Sequence, residues 1–174
     1  MKKLLFLFAA TLLFVSCSDS DSGTSLDLND STISGTWDLT LFDLDAVTTL
    51  NIQGANISGE SKAVGKDYNF SITFTDNPKE FTTSGSFTVV TTSTTNGVTN
   101  TLEEKVSAIS ELSSGEWKIE DNQLVLIGGG VSSPIGVESI TENKVVLKLN
   151  VDETQDTQGF DFNVKGVSTF VFER

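Results

Sequence analysis

Tyr68-Asn69-Phe70-Ser71-Ile72-Thr73-Phe74-Thr75 alternates large apolar and small polar side chains without a break. Successive side chains of an extended chain point to opposite faces, so Tyr68, Phe70, Ile72 and Phe74 share one face. Asn69, Ser71, Thr73 and Thr75 share the other. A helix would scatter both sets around its axis. The stretch therefore reads as a strand with one face on a core and one face in water. The same period recurs outward from it. Trp37, Leu39 and Leu41 fall on one face, as do Val145, Leu147, Leu149 and Val151. Near the C-terminus Phe160, Phe162 and Val164 line up, and Phe170 and Phe172 keep that parity beyond Gly166. Only Leu102 to Leu112 carries spacing that suits an amphipathic helix.

The segments between these runs are turn formers. Asn96-Gly97 tolerates the positive φ angles of a type I′ hairpin. Asp121-Asn122 separates Trp117-Lys118-Ile119 from Leu124-Val125-Leu126, and Glu142-Asn143 separates Ile140 from Val145. Asp76-Asn77-Pro78 ends the run that closes at Phe74. Short links make sequence neighbours pair in space, which gives an antiparallel meander rather than parallel crossovers. The expectation is an all-β fold of about eight to ten strands, an up-and-down meander that curls closed to remove its exposed edges. A two-sheet β-sandwich is the alternative.

The N-terminus is of another kind. Met1-Lys2-Lys3 leads into an uncharged apolar run from Leu4 to Val15. That run is about a dozen residues long, against the twenty or so that span a bilayer. It fits a signal segment. It ends Leu13-Phe14-Val15-Ser16-Cys17, which resembles a lipobox: cleavage before Cys17 and attachment of diacylglycerol to its thiol. Residues 1–16 are thus expected to be a lipoprotein signal peptide, and the membrane is the expected partner through the lipid on Cys17. The chain has no second cysteine for a disulfide. Ser18-Asp19-Ser20-Asp21-Ser22-Gly23-Thr24-Ser25 has almost nothing to bury, so residues 17–30 read as a flexible acidic tether. Ser18 to Asp21 resemble the surface-export signal of lipoproteins in Bacteroidota, which implies an outer-membrane lipoprotein exposed at the cell surface; a plain solvated linker with attachment facing the periplasm is the alternative. Residues 31–174 form the expected folded domain, a length that suits one domain with its own core.

Composition restricts the chemistry. The chain carries 11 Lys and Arg against 24 Asp and Glu, a net charge of −13. Without residues 1–16, which hold two of the lysines, nine cations face the same 24 anions and the net charge is −15. Nucleic acid and anionic lipid surfaces are both bound through Lys and Arg, so neither is an expected partner. There is no histidine, which removes the usual general base, the His-dependent triads and nearly all zinc sites. No glycine-rich phosphate loop follows a strand and opens a helix; Gly128-Gly129-Gly130 leads into Val131-Ser132-Ser133-Pro134 and reads as a flexible loop. The acids of 152–161 do not match the spacing of a calcium loop. No catalytic residue, metal or cofactor is expected, and the sequence is read as that of a binding protein, not an enzyme.

Gly35-Thr36-Trp37 opens the first strand, and a Gly-x-Trp there resembles the calycin signature of lipocalins and fatty-acid-binding proteins. The resemblance implies that Trp37 plugs the closed end of a barrel and that a basic side chain from a late strand lies across it. Arg174, on the parity of Phe170 and Phe172, is the residue placed for that part. Ser114-Gly115-Glu116-Trp117-Lys118-Ile119 with Gln123-Leu124-Val125-Leu126 resembles the mid-domain hairpin of lipocalin-like lipoproteins of Bacteroidota. The likeness covers about residues 31–174. It implies an interior that takes a small apolar or amphipathic ligand, with Tyr68, Phe70, Phe74, Phe87, Phe162 and Phe170 as candidate lining. The same rings would equally fill a solid core. The alternative function is then a surface-displayed module that binds protein or glycan through its loops. Sequence does not specify the oligomeric state.

Overall fold

The computed structural model describes residues 25–52, 55–107, 113–157 and 160–174. Cys17 and the first part of the tether lie outside them. So do residues 108–112 of the stretch with helical spacing; its first half, from Leu102, is strand.

One short helix precedes nine antiparallel strands: α1 (Asp30–Ile33), β1 (Gly35–Ile52), β2 (Ala55–Thr75), β3 (Glu80–Thr95), β4 (Val98–Ser107), β5 (Ser114–Glu120), β6 (Gln123–Gly128), β7 (Val131–Ile140), β8 (Lys144–Thr157) and β9 (Phe160–Glu173). The fold is all-β, a single sheet in the order β2-β1-β9-β8-β7-β6-β5-β3-β4, and a further β2–β3 pairing closes the hydrogen bonds into a ring. The ring is uneven. β3 uses one edge for both β5, at Glu80 to Thr82, and β4, at Ser86 to Thr95. Eight strands therefore close the base, with β4 stacked above β5 on the same neighbour.

Long and short strands divide the ring into two regions. β5, β6 and β7 are short and turn back early, and β7 leaves β8 above the Gly136–Lys148 pair. β8 and β9 nevertheless stay laddered up to Thr157 and Phe160. Above the base, the described part of β4 pairs only with β3, and β8 from Leu149 upward pairs only with β9. The upper wall is thus a curved sheet of β4, β3, β2, β1, β9 and β8 whose two outer edges are not laddered to each other among the described residues.

The turn residues explain the connections. Asn96 and Gly97 both have positive φ (52° and 77°), as a type I′ hairpin requires, and Asp121 and Asn122 do the same between β5 and β6 (49° and 59°). Gly128-Gly129-Gly130, read from sequence as a flexible loop, ends β6 and makes a tight hairpin: Gly128 pairs with Val131, and Gly129 and Gly130 take φ of 57° and 83°. β7 runs on through Pro134 with its ladder to β6 intact.

The core fills the base. Trp37, Trp117, Phe74, Phe81, Ile33, Leu124, Ile140 and Val145 are its largest fully buried side chains. Both indole N–H groups are satisfied there, Trp37 Nε1 donating to Ile33 O at 2.8 Å and Trp117 Nε1 to Thr75 O at 2.7 Å. A buried ring thereby keeps its apolar gain without an orphaned donor. The domain begins earlier than residue 31. Leu26 donates its N–H to Ile140 O at 2.8 Å, and Leu26 and Leu28 pack on the core. Asn29 caps α1 by accepting from Ser31 N and Thr32 N, while Thr32 Oγ1 accepts from Asn29 N in return. The last residues of the segment read as tether are therefore the floor of the ring.

Candidate functional site

The base is sealed by two rings of the same kind. The guanidinium carbon of Arg174 stands 4.0 Å from the centroid of Trp37. Arg174 is held there by its own donors, Nε to Glu142 O at 2.6 Å and Nη1 to Ser34 O at 2.8 Å. Gly35, at φ 120°, has Arg174 Nη1 2.9 Å from where a Cβ would stand, so the first residue of Gly35-Thr36-Trp37 makes room for the cation. Opposite, Lys79 Nζ stands 5.1 Å over Trp117 and pairs with Asp30 of α1. A cation over an aromatic face is worth about 0.5–2 kcal/mol, the upper end when water is excluded. The structure thus brings Gly35, Trp37 and Arg174 together at one end of the ring.

Above the base sits a cluster of aromatic rings. Phe87 is its hub, 5.6 Å from Phe42, 6.0 Å from Tyr68 and 5.7 Å from Phe70 by ring centroids. Phe170 joins it through Phe42 at 5.1 Å. Phe87 is buried, whereas Phe42, Tyr68, Phe70 and Phe170 are half-buried. Four of the six expected lining residues (Tyr68, Phe70, Phe87 and Phe170) therefore belong to one cluster. Phe74 does not: it lies in the base, 5.8 Å from Trp117 and 2 % exposed. The Phe162 side chain lies outside the described residues; its backbone pairs with Leu50 and Gln155 high on the wall.

Phe42 was missed from sequence because β1 changes parity. A bulge between Leu39 and Leu41 turns Leu41 outward, where it is 43 % exposed, and brings Phe42 to the inner face. A second irregularity faces it. β2 bulges between Lys66 and Asn69, with Asp67 at φ 52°. The amide of Phe42, which has no ladder partner on β2, donates to Tyr68 Oη at 2.9 Å. Gly65 permits this, since a Cβ there would come within 2.4 Å of the phenol oxygen.

Above the aromatic cluster the inner face continues through small and aliphatic residues. Leu44 pairs with Ala63 and Ser168, and Ala46 pairs with Ser61 and Gly166. Ala46, Ala63 and Ser168 are buried although they stand high on the wall. The small side chains permit strong curvature: a Cβ on Gly166 would lie 2.7 Å from that of Ala46. The outer face of this wall is ionic, with Lys62 paired to Asp45 at 3.0 Å and Lys66 to Glu103 at 2.9 Å. Both lysines are held protonated above their usual 10.5, first by the hydrogen bond to the partner carboxylate. Asp152, in the acidic stretch weighed for calcium, pairs with Lys165 at 3.3 Å instead. No group of three or more potential metal ligands is found among the described residues.

No family model, curated protein or solved structure matches the chain.

Proposed function

We propose that this is an outer-membrane lipoprotein, anchored through Cys17 and displayed at the cell surface, whose ring binds a small apolar or amphipathic molecule. The observation that carries the ligand reading is the half-buried aromatic cluster of Phe42, Tyr68, Phe70 and Phe170 around Phe87. It lies above a sealed base and below a wall whose two outer edges are not laddered to each other among the described residues. Ligand sites are commonly mostly apolar concavities with a few convergent polar groups. The route of the chain supports the orientation. The chain joins the base at Leu26, so a tether from Cys17 reaches the sealed end and leaves the open end turned from the membrane. Those nine residues span at most about 30 Å when extended.

The test is titration of the chain carrying Cys17→Ser, which no lipid can modify, with a fluorescent fatty-acid probe. Saturable binding that Phe42→Ala weakens supports the reading. Absence of saturable binding across several classes of apolar probe removes it.

A second reading, a displayed interaction module with a filled core, draws on the rings' touching one another at 5.1–6.0 Å. It requires surface exposure, so loss of the protein from intact cells under external protease is expected. Full resistance would count against it and against display together.

A further inference from the structure

The β1–β2 ladder runs from Gly35–Phe74 to Asp38–Ser71 and resumes only at Asp43–Val64. Residues 39–42 of one strand therefore face 65–70 of the other with no ladder between them. The gap opens the wall into a groove of about 720 Å³, within the range of small-molecule sites. Behind it stand Leu39, which is buried in the core, and Tyr68 and Phe70 of the aromatic cluster.

The rim is polar and uncharged but for one group. Asp38 pairs across the ladder with Ser71, and Ser71 with Ser84, so three polar side chains stand side by side on β1, β2 and β3. Ser71 Oγ and Ser84 Oγ are 2.9 Å apart. Thr40 and Asn69 stand one step further along. Among the described residues the side chains of Asp38 and Asn69 have no hydrogen-bond or ionic partner. Gly85 fixes the shape: at φ 82°, a Cβ there would lie 1.8 Å from Asn69 O, so the strands approach as only glycine allows.

We propose that this groove binds a neutral saccharide of one or two pyranose rings. Three adjacent strands span about 10 Å, and two residues along a strand about 7 Å, which matches such a footprint. The five rim groups comprise a carboxylate that only accepts, a carboxamide, the hydrogen-bonded Ser71–Ser84 hydroxyl pair, and the Thr40 hydroxyl, which donates to Val171 O at 3.3 Å and can still accept. A polyol has hydroxyls that can donate to and accept from them. No cation stands on the rim, and the chain is strongly acidic, which disfavours an anionic ligand.

The site is separate from the apolar ligand site proposed above, although Tyr68 and Phe70 back both. The test is isothermal titration of the full chain, in a non-glycosidic detergent, with neutral gluco-, galacto- and manno-configured mono- and disaccharides. At least one should bind saturably, in the micromolar to millimolar range. Asn69→Ala and Asp38→Asn should each weaken it about tenfold or more, and Lys62→Met, on the outer wall, should leave it unchanged. Amide shifts on adding sugar to the unmodified protein should centre on Asn69, Ser71 and Ser84, a readout that needs no variant. Failure of every sugar to saturate at about 10 mM overturns the proposal, as does full binding by the Asn69→Ala/Asp38→Asn double variant or shifts confined elsewhere. A fatty-acid probe should bind equally well with and without the sugar, so the two readings fail separately.

Discussion

β1 crosses two regions that are held together differently. At Trp37 and Leu39 it is sealed into the base, with 0 % and 3 % of their surfaces exposed. At Val47 its outward side is 47 % exposed, and its inner neighbour is the small Ala46. The base is stabilised by large side chains in contact, closed on all sides by eight strands. The wall is stabilised mainly by backbone ladders, small inward residues and exposed ion pairs. Deleting a side chain should therefore be costly in the base and nearly free on the wall.

The largest expected effect follows from the first half of that contrast. Trp37→Ala empties the floor of the ring and strands the Arg174 guanidinium; unfolding by denaturant should show a loss of about 3–5 kcal/mol. A loss below 1 kcal/mol would mean that the base is not the seat of stability. Tyr68→Phe removes only a hydroxyl, but that hydroxyl accepts from the otherwise unladdered Phe42 amide. The expected cost is about 1–2 kcal/mol, with faster hydrogen exchange at Phe42 as the local sign. Arg174→Ala should cost about 1–2 kcal/mol and leave the upper wall unaffected. Leu102→Ala sits on β4, where Leu102 is 65 % exposed, and should change stability by less than about 0.5 kcal/mol. A larger loss there would show that β4 is covered in solution.

The smallest effect is one of pH. Lys66 and Lys62 are held protonated above 10.5 in the fold by Glu103 and Asp45. The folded state thus favours their charged form, so whatever these pairs contribute is present below pH 10.5 and is lost as pH rises through the higher folded values. Both are exposed and weak. Lys66→Met should lower the midpoint slightly at neutral pH and flatten its fall in strong alkali; an unchanged alkaline slope would show that the Lys66–Glu103 pair contributes nothing.

Much of the base was legible in the sequence. The parity of residues 68–75 marked β2 and the Asp121-Asn122 turn marked the β5–β6 hairpin, while Trp37 beside Arg174 was expected only through the likeness to lipocalins. The first two are local patterns, or patterns fixed by alternation. The wall was less legible because its determinants are not local. The bulges that bring Phe42 inward and Tyr68 Oη to its amide exist only when β1, β2 and β9 are registered together. Leu102 and Val106 have helical spacing, but β4 is drawn into strand by laddering to β3. Leu26 and Leu28 sit in a polar stretch and gain apolar partners only once the core of the base is assembled. For the candidate groove, the alternation of residues 68–75 shows that Asn69 and Ser71 face outward. That Asp38 and Ser84 stand beside them is a matter of register.

The ring is closed by β9 against β1, Asp38 pairing with Glu173 and Leu39 with Phe172, residues from near opposite ends of the sequence. That contact has the highest order the topology offers, and such long-range pairing slows folding. A chain made from its N-terminus delivers β1 first and its partner β9 last. Through that interval β1 presents an open hydrogen-bonding edge, and the net charge of −13 sets like charge against like wherever two such edges approach.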